Sequence, residues 1–544
     1  MPTDNNGSDK KKYPIIFRGG LNVGGELYGV SGIPNRRSPW AYHTQGNLGI
    51  SIGKFRLPIS FTYRDRQFSY DFTFNRIGLS PTIGWATVHL GWRNMSFSPY
   101  TLGGRTFYGI GAELRPGKLY IGGLYGKLKN PLAIRDSLVF GANLIPIFER
   151  KLYGAKVGYR NGKNHFELMG VKVWDDPNSF DYPDSYDELG YNVLTPKENI
   201  VLGLNGGVEI AKTVEIYFRS GLTLFTGDVD DPLTDVISGS IPDQYRDILT
   251  INSSSRITFA GDAGLNISLK GTRIGLQYRR VEPFYTTLAT NFFPNDLEQY
   301  TFLLSTALLQ RKLLLNGRIG LEQNNLRDYR TNTTRRFIGN LTTTYRPNDN
   351  WNFNLRYANF TTDSEANILA LNDTLRYVTV SNNASLTGSW TKKGQVKDLI
   401  LTTFLNYQAV DDQSVVERIS ELDSYAGTLS AAWRWQGSQL SIGPSIQYYL
   451  YDFANRQQER FGLGLNISKP FWEERLLAQF SSSISQNDVD GFRDGTVGLH
   501  TLRFRFRTSK KSSINLYNAF RHVHSISRRS FEEWRSRIGY GLRF

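Results

Sequence analysis

The sequence predicts an all-β fold, a single large antiparallel transmembrane β-barrel of about 26 strands (roughly 24–28). Three observations lead to this prediction. Apolar and polar residues alternate with period two along most of the chain, tight turns alternate with long polar connections, and the last strand is rich in aromatic residues. Successive side chains of a strand point to opposite faces, so this alternation gives each strand one apolar and one polar face.

The alternation recurs in segments spread along the whole chain. In residues 55–64 nearly every odd position is apolar, while the even positions include Arg, Ser and Thr. The same pattern is present in residues 351–358, 378–390 and 460–468, and no helical periodicity intervenes. A water-soluble sandwich would also alternate, with its apolar faces in a shared core, so this observation alone leaves both folds open.

The final strand indicates a membrane. From Trp534 to Phe544 the even positions are Trp, Ser, Ile, Tyr, Leu and Phe, and the odd positions are Arg or Gly. A strand of this length, rising about 3.3 Å per residue and tilted by about 40°, spans about 25 Å, the height of the apolar band of an outer-membrane barrel. It resembles the terminal strand by which outer-membrane proteins are recognised and closed. We assign barrel insertion to Trp534, Ile538, Tyr540, Leu542 and Phe544.

The connections between the predicted strands fall into two classes. Tight turns are predicted at Gly53-Lys54, Trp85-Ala86, Pro116-Gly117, Asn161-Gly162, Lys212, Gly271, Arg311-Lys312, Asn348-Asp349, Lys393-Gly394, Gln436-Gly437, Pro470 and Lys510-Lys511. Longer polar stretches lie between them, at 129–148, 175–197, 226–255, 323–334 and 361–375. Twelve turns that join two strands each, with one further strand at either end, give about 26 strands. Bacterial barrels have short periplasmic turns and long extracellular loops, which predicts the sidedness.

Composition excludes several kinds of site and fold. The 544 residues include no Cys, which excludes disulfides, thiolate nucleophiles and cysteine zinc sites. No apolar run reaches the length of about eighteen residues that a membrane helix needs. Residues 1–14 are predicted to form a polar N-terminal tail, and residues 15–544 the barrel domain. The tail has no hydrophobic segment, so we expect that an export signal has been removed.

Five segments carry a family resemblance, namely 74–81, 89–102, 109–118, 278–283 and 295–298. They resemble a poorly characterised family of Bacteroidota outer-membrane β-barrel proteins, and the similarity spans most of the barrel. The resemblance implies the outer membrane of a Gram-negative bacterium and brings no catalytic residues. Two tripeptides, 136–138 and 373–375, resemble the Asp-Ser/Thr-aliphatic sites that this phylum O-glycosylates, which makes Ser137 and Thr374 candidate glycosylation sites.

Charge is distributed unevenly between loops and strands. The chain has 64 Lys and Arg against 49 Asp and Glu, yet all charged residues in 175–188 are acidic and Asp is frequent in 228–247. The basic excess therefore lies in the strands. Parity places one set of arginines, here called the arginine wall, on the lumen face: Arg434, Arg460, Arg503, Arg505, Arg507, Arg521, Arg535 and Arg537. Either water, counterions and acids such as Glu26 balance this wall, or it docks an acidic plug, loop or substrate.

Candidate catalytic and metal-binding residues are few. His522 and His524 lie on one side of a strand and could share a metal, although histidines near strand ends are also typical of a membrane interface. Residues 488–494 match a calcium loop only in part, because the distal bidentate Glu is missing. No nucleophile elbow, phosphate loop or zinc-protease motif occurs. The sequence predicts no catalytic residue, cofactor or metal site, and a protein that is not an enzyme.

Three functions fit these features. The first is the membrane-spanning subunit of a multi-protein outer-membrane export or assembly machine, the second a self-sufficient diffusion pore or uptake channel, and the third a barrel enzyme or adhesin acting through its outer loops. We favour the first, because an empty round barrel of about 26 strands would be about 50 Å across and would defeat the membrane barrier. The lumen would be occluded by loops, such as residues 226–255, or by a partner.

Expected partners follow from this location. They are outer-membrane lipid and lipopolysaccharide, and other outer-membrane barrels, lipoproteins or periplasmic subunits. Nucleic acid is not expected, because the basic face lies in a membrane lumen rather than on an accessible surface.

Overall fold

The computed structural model describes residues 14–65, 75–131, 147–179, 194–231, 250–290, 294–366, 377–413 and 421–544. These residues form 27 strand segments, and the one helical turn among them is a 3-10 helix at Pro177–Ser179. No helix in the described ranges is long and apolar enough to cross a membrane.

The strands are antiparallel and follow one another along the chain. They are β1 (Ile15–Ser31), β2 (Trp40–Ile52), β3 (Phe55–Arg64), β4 (Arg76–Leu79), β5 (Thr82–Ile83), β6 (Ala86–Asn94), β7 (Thr106–Leu114), β8 (Leu119–Lys129), β9 (Glu149–Asn161), β10 (Asn164–Asp176), β11 (Glu198–Ile210), β12 (Val214–Thr226), β13 (Ser255–Leu269), β14 (Thr272–Val281), β15 (Leu297–Leu308), β16 (Leu313–Gln323), β17 (Asn332–Tyr345), β18 (Trp351–Ala366), β19 (Tyr377–Lys392), β20 (Lys397–Asp412), β21 (Leu422–Trp435), β22 (Ser441–Phe453), β23 (Arg456–Phe471), β24 (Leu476–Val489), β25 (Phe492–Ser509), β26 (Ser512–Ser525) and β27 (Phe531–Arg543).

The ring has 26 strands and is closed. Segments β4 and β5 both pair with β3 and β6, so they are two halves of one strand, interrupted at Ser80 and Pro81. Strand β27 pairs with β1, and Gly19 and Phe544 exchange both backbone hydrogen bonds, at 3.0 and 3.2 Å. Closure leaves no edge strand, which is what a sheet in hydrocarbon requires. The predicted fold class is confirmed.

Neighbouring residues on one strand lie in opposite environments. In β11, Val201 is 0% exposed, whereas Leu202 is 55% exposed on the other face. Large apolar residues are exposed on the outer face of strands all round the ring, among them Ile110, Leu463 and Ile538. Such a band of outward apolar side chains is the surface that a transmembrane barrel presents to lipid.

The tight turns lie where the sequence predicts them, with one exception. Eleven of the twelve fall within one residue of a turn that joins consecutive strands. The prediction at Pro470 is wrong, because Pro470 belongs to β23 and pairs with Leu477 of β24. The chain turns at residues 472–475 instead, where three consecutive non-glycine residues adopt positive φ. A turn built from left-handed Trp and Glu residues has none of the usual turn chemistry, so the sequence did not reveal it.

The two ends of the barrel differ, though not all round the ring. One end, here called the short-turn end, carries the twelve tight turns and both termini of the barrel. The opposite, long-loop end carries the long connections, among them 95–105 and 282–296, which the sequence did not predict. The exception is at β22–β23 and β24–β25, which are joined there by the dipeptides Ala454-Asn455 and Asp490-Gly491. At these two positions the strands continue up to a two-residue turn, and no long loop is present.

The face assignment makes a prediction about a pair of neighbours in β23. Leu465 lies on the outer face and Asn466 on the lumen face. Leu465→Arg is expected to lower the free energy of unfolding by about 2–4 kcal/mol, because it places a charge in lipid, whereas Asn466→Arg should have little effect. Urea titration in lipid vesicles measures both. Equal losses in the two variants would contradict the assignment.

Candidate functional site

Parts of two long connections fold back into the lumen. They are residues 95–105, between β6 and β7, and residues 282–290, which follow β14. Their apolar side chains are buried: Leu102 is 0% and Tyr285 1% exposed. Exposed surface loops would not bury such residues, so these segments pack on the inside of the barrel. We refer to residues 95–105 and 282–290 together as the inner layer.

Apolar packing holds the first segment of the inner layer against the wall. Its Met95, Phe97 and Leu102 share one buried cluster with Phe107, Leu124, Leu128, Leu152, Met169, Val171 and Val173, which project inward from β7 to β10. Gly203 of β11 makes room for it, because a Cβ there would lie 2.5 Å from the Thr101 side chain. This part of the lumen face is therefore a protein core. Each large side chain buried in it contributes about 1.5–3 kcal/mol.

Hydrogen bonds join the two segments of the inner layer to each other. The Tyr285 hydroxyl donates to the carbonyl oxygen of Tyr100 at 2.5 Å, and the Thr287 hydroxyl donates to the carbonyl oxygen of Thr101 at 2.9 Å. All four residues are buried. A buried carbonyl left without a donor is costly, so each segment satisfies polar groups that the other would leave unpaired.

The second segment is also fixed to the barrel wall, through Asn199 of β11. Asn199 is fully buried, and its Nδ2 donates to the carbonyl oxygen of Thr286 at 3.4 Å and to the Thr223 hydroxyl at 2.6 Å. Its Oδ1 accepts from the backbone N–H of Leu288 at 3.1 Å. The Thr223 hydroxyl in turn donates to Thr286 O at 2.8 Å. One buried amide therefore positions a whole turn of the inner layer.

A buried carboxylate fixes the junction of the inner layer with β12 to β14. The Asp262 side chain is 0% exposed and accepts hydrogen bonds from Nε and Nη2 of Arg219, at 3.1 and 2.8 Å. It also accepts from Gln277 at 3.0 Å and from the Tyr100 hydroxyl at 2.7 Å. Burial and the nearby Asp262 charge raise the pKa of Tyr100, so its hydroxyl stays protonated as a donor. A buried charge needs such a complete set of partners.

A third loop covers the inner layer at the long-loop end. Asp296 has a fully buried side chain that accepts from Arg330 Nε at 2.6 Å, from the N–H of Leu326 at 2.9 Å and from the Tyr329 hydroxyl at 3.1 Å. The Tyr329 ring also packs against Phe284, with centroids 4.8 Å apart. The loop between β16 and β17 therefore packs on the inner layer from the long-loop end.

The predicted arginine wall lies across the lumen from the inner layer. Strand register places its eight side chains on the lumen face of β21, β23, β25, β26 and β27. When β4 and β5 are counted as one strand, β10 is the ninth strand and β23 the twenty-second. The two strands are thirteen positions apart, which is half of the ring of 26. The inner layer and the wall therefore occupy opposite sides.

Two arginines of the wall are neutralised across the seam between β1 and β27. Glu26 of β1 accepts two hydrogen bonds from Arg535, both at 2.8 Å, and one from Arg537 at 2.5 Å. Arg37 lies 3.8 Å from the same carboxylate. This cluster holds the first and last strands together on the lumen side.

The other arginines of the wall are mostly bare in the sense that no carboxylate pairs with them, although Arg503 lies over the Tyr517 ring at 5.0 Å and Arg521 over the Phe531 ring at 5.5 Å. Arg460 donates to Asn487 at 2.7 Å, Arg505 donates to Asn515 at 3.2 Å, and Arg507 lies 3.9 Å from the Glu474 carboxylate. Within the described ranges, five members of the wall have no carboxylate partner within 4.0 Å: Arg434, Arg460, Arg503, Arg505 and Arg521. Uncompensated cations on a concave wall concentrate a positive potential in the lumen.

Two recesses indent the lumen face of the wall. One of about 420 Å³ is lined by Arg460, Arg521 and Arg535, with Glu533 the acid among its lining residues. The other, of about 710 Å³, lies at the short-turn end between β1–β3 and β25–β27. Both open to the lumen and are suited to anionic groups.

The inner layer was not predicted from the sequence, where residues 226–255 were expected to occlude the lumen. The described parts of that loop bond to each other, since Asn252 donates to the carbonyl oxygen of Asp228 at 2.7 Å; residues 232–249 lie outside the described ranges. A signal for the inner layer is present in β10, where Leu168, Met169 and Val171 make the strand apolar on both faces. Such a run is typical of a strand covered on both sides.

The remaining predicted sites are placed as follows. Trp534, Ile538 and Tyr540 are exposed on the outer face of β27, Leu542 shares that face, and Phe544 follows the strand.

The candidate histidines belong to no metal-binding cluster of the described ranges, and the glycosylation candidates are not tested. His522 faces outward and stacks on His500, with ring centroids 5.5 Å apart. Among the described residues no group of three or more metal-ligating side chains occurs. Ser137 and Thr374 lie outside the described ranges, so their glycosylation stays a prediction.

Comparisons with known proteins concern the barrel alone. No protein-family model matches the chain, and no curated protein matches it. Among solved structures, the translocation pore of the P pilus usher PapC is 11% identical, with a TM-score of 0.37, over 97% of this chain and 99% of that chain. OccK9 of Pseudomonas aeruginosa is 13% identical (TM-score 0.31; 73% and 98% covered). The ferric yersiniabactin receptor FyuA of Yersinia pestis is 11% identical (TM-score 0.39; 97% and 80% covered). These likenesses carry no argument about cargo or partner.

The contacts within the inner layer predict how the lumen conducts. Tyr285→Phe combined with Thr287→Val removes the two side-chain hydrogen bonds described above, at a cost of about 1 kcal/mol each, and leaves the backbone bridge between Gly103 and Thr290 in place. We expect single-channel currents in planar bilayers to become larger and noisier, because the inner layer detaches more often. The matched control is Tyr300→Phe with Thr306→Val, on the outer face of β15. The same noise in both variants would show that the inner layer does not restrict the lumen.

Proposed function

We propose that this chain is the membrane-spanning subunit of a multi-protein export or assembly machine in the outer membrane of a Gram-negative bacterium. Its short-turn end would face the periplasm, as in other bacterial barrels. The observation that carries the proposal is the asymmetry of the lumen. One side is filled by the inner layer, and the opposite side presents arginines without carboxylate partners.

The bare arginines favour an occupant that the chain does not itself supply. The buried carboxylates of the inner-layer side are already engaged by their own cations, as Asp262 is by Arg219 and Glu167 is by Lys156 at 2.7 Å. They are therefore not available to the arginine wall. An acidic partner in the lumen would neutralise the wall and fill the space that the inner layer leaves. Charge pairs sheltered in a lumen are screened less than pairs on an open surface.

A second function is supported by the recesses in the same wall. A self-sufficient pore with a basic lining would select anions, and the 420 Å³ recess with Arg460 and Arg521 would be a step on their path. The two functions differ in what occupies the lumen. A machine subunit holds a protein there, whereas a pore holds water and ions.

Site-specific crosslinking in native membranes separates these functions. Because the chain has no Cys, a single Ser483→Cys change places one photoreactive label on the lumen face. We expect a protein adduct from this position, and none from Leu463→Cys on the outer face of the adjacent strand. No adduct from the lumen position, together with a stable anion-selective current from the purified barrel, would reject the machine subunit in favour of the pore.

Neutralising the bare arginines tests whether charge holds the partner. The triple change of Arg460, Arg503 and Arg521 to Gln is expected to reduce the adduct from Ser483→Cys about tenfold, the equivalent of 1.4 kcal/mol. The matched control replaces the same three residues by Lys, which keeps the charge and should keep most of the adduct. If the Gln and Lys triple variants crosslink equally well, charge does not hold the occupant.

A further inference from the structure

The short-turn end of the barrel is basic at most of its turns. Eight of its twelve turns carry a net positive charge; residues 84–85 and 436–440 are uncharged, Asp349 offsets Arg346 in 346–350, and two Glu outnumber Arg475 in 472–475. Charge at the long-loop end is mixed, since residues 228–231 include three Asp whereas 36–37 and 528–529 are pairs of Arg. Anions approaching from the short-turn end meet a mostly positive ring of turns.

The recess of about 710 Å³ lies on the lumen side of this basic end. Five cations line it: Arg505, Arg507, Lys510, Lys511 and Arg543. None of its described lining residues is acidic, and its other polar groups include Asn22, Asn47 and Asn515. Side-chain amides beside guanidinium groups offer both donors and acceptors, as a peptide backbone with carboxylate side chains would require.

The strand register determines which anions can reach this recess. Arg505, Arg507 and Arg543 lie at odd positions of β25 and β27, which face the lumen. Arg535 shares this face, whereas Trp534 lies on the outer face. Phosphates of the surrounding bilayer contact the outer face, so they cannot enter the recess. A solute or a protein segment that enters the lumen from the short-turn end can.

The geometry points to this recess as the docking site for an acidic peptide segment of a periplasmic partner. This inference rests on the proposed function and deepens it, because it names the chemistry of the partner and its point of entry. Arginine forks bind carboxylates in a bidentate manner, while Lys510 and Lys511 at the turn act as point charges that guide the segment in. The ring of basic turns raises the rate of encounter, and binding weakens as salt is added.

A binding assay on the purified full-length barrel in nanodiscs tests the inference. The probe is a short fluorescein-labelled peptide of alternating Asp and Ser, and its Asn–Ser counterpart is the neutral probe. The recess variant carries Arg505→Gln, Lys510→Gln and Lys511→Gln. The matched control carries Lys392→Gln, Lys393→Gln and Lys397→Gln, which removes three charges around another turn of the same ring, outside the recess.

We expect the acidic probe to bind the unmodified barrel, the neutral probe not to bind, and the recess variant to bind about tenfold more weakly, the equivalent of 1.4 kcal/mol. The control variant should lose less than about a third of that free energy. Equal weakening in the two variants would mean that the ring acts only through its total charge, and would overturn the docking site. Complete displacement of the probe by inorganic phosphate at constant ionic strength would show an anion site only, and would also overturn it.

The failure of this inference is distinct from that of the proposed function. Probe binding is measured on the isolated barrel, whereas the crosslinked adduct is measured in native membranes. If the acidic probe does not bind the isolated barrel but the lumen adduct still forms in native membranes, the docking site is wrong and the proposal of a machine subunit is retained.

Discussion

The constraint on which the structure depends is that no backbone N–H or C=O of a strand can be left unpaired in hydrocarbon. It forces the sheet to close, and closure through β27 and β1 then fixes the inward or outward direction of every side chain in the ring. The arginine wall and the inner layer both follow from that parity. Because lipid occupies the outside, any further polar chemistry, as well as any further protein core, has to be built in the lumen.

The inner layer shows how such a core is made without a separate domain. Two loops are joined by hydrogen bonds from Tyr285 and Thr287, and both pack on strand residues whose side chains would otherwise face water. Glycine at 203 and the buried Asn199 and Asp262 adapt the wall to this cover. The opposite wall has no such adaptation; its arginines extend into the lumen. The lumen therefore has two different sides. On the inner-layer side the buried polar groups are paired within the chain, and the arginine wall on the other side is suited to an external anion.

The sequence was sufficient for the features that local geometry controls. Period-two alternation placed Leu465 and Asn466 on opposite faces, and turn chemistry located turns such as Asn161-Gly162, because both depend only on adjacent residues. The turn near Pro470 was misplaced because Trp472 and Glu473 adopt left-handed backbone that no propensity favours. The inner layer was missed because its contacts join residues 185 positions apart, and nothing in the local pattern of either loop names its partner. The sequence of β10, which is apolar on both faces of the strand, was the one indication of this inner cover.

The seam has a consequence for how the molecule is made. Arg535 and Glu26 meet across a separation of 509 residues, so the last strand has to find the first after the rest of the chain has been synthesised. The inner layer likewise cannot assemble until β14 has emerged, long after residues 95–105. High contact order of this kind slows folding and leaves edge strands exposed for a long time. Until β1 and β27 meet, both strands keep an unpaired edge and the Glu26 cluster cannot form.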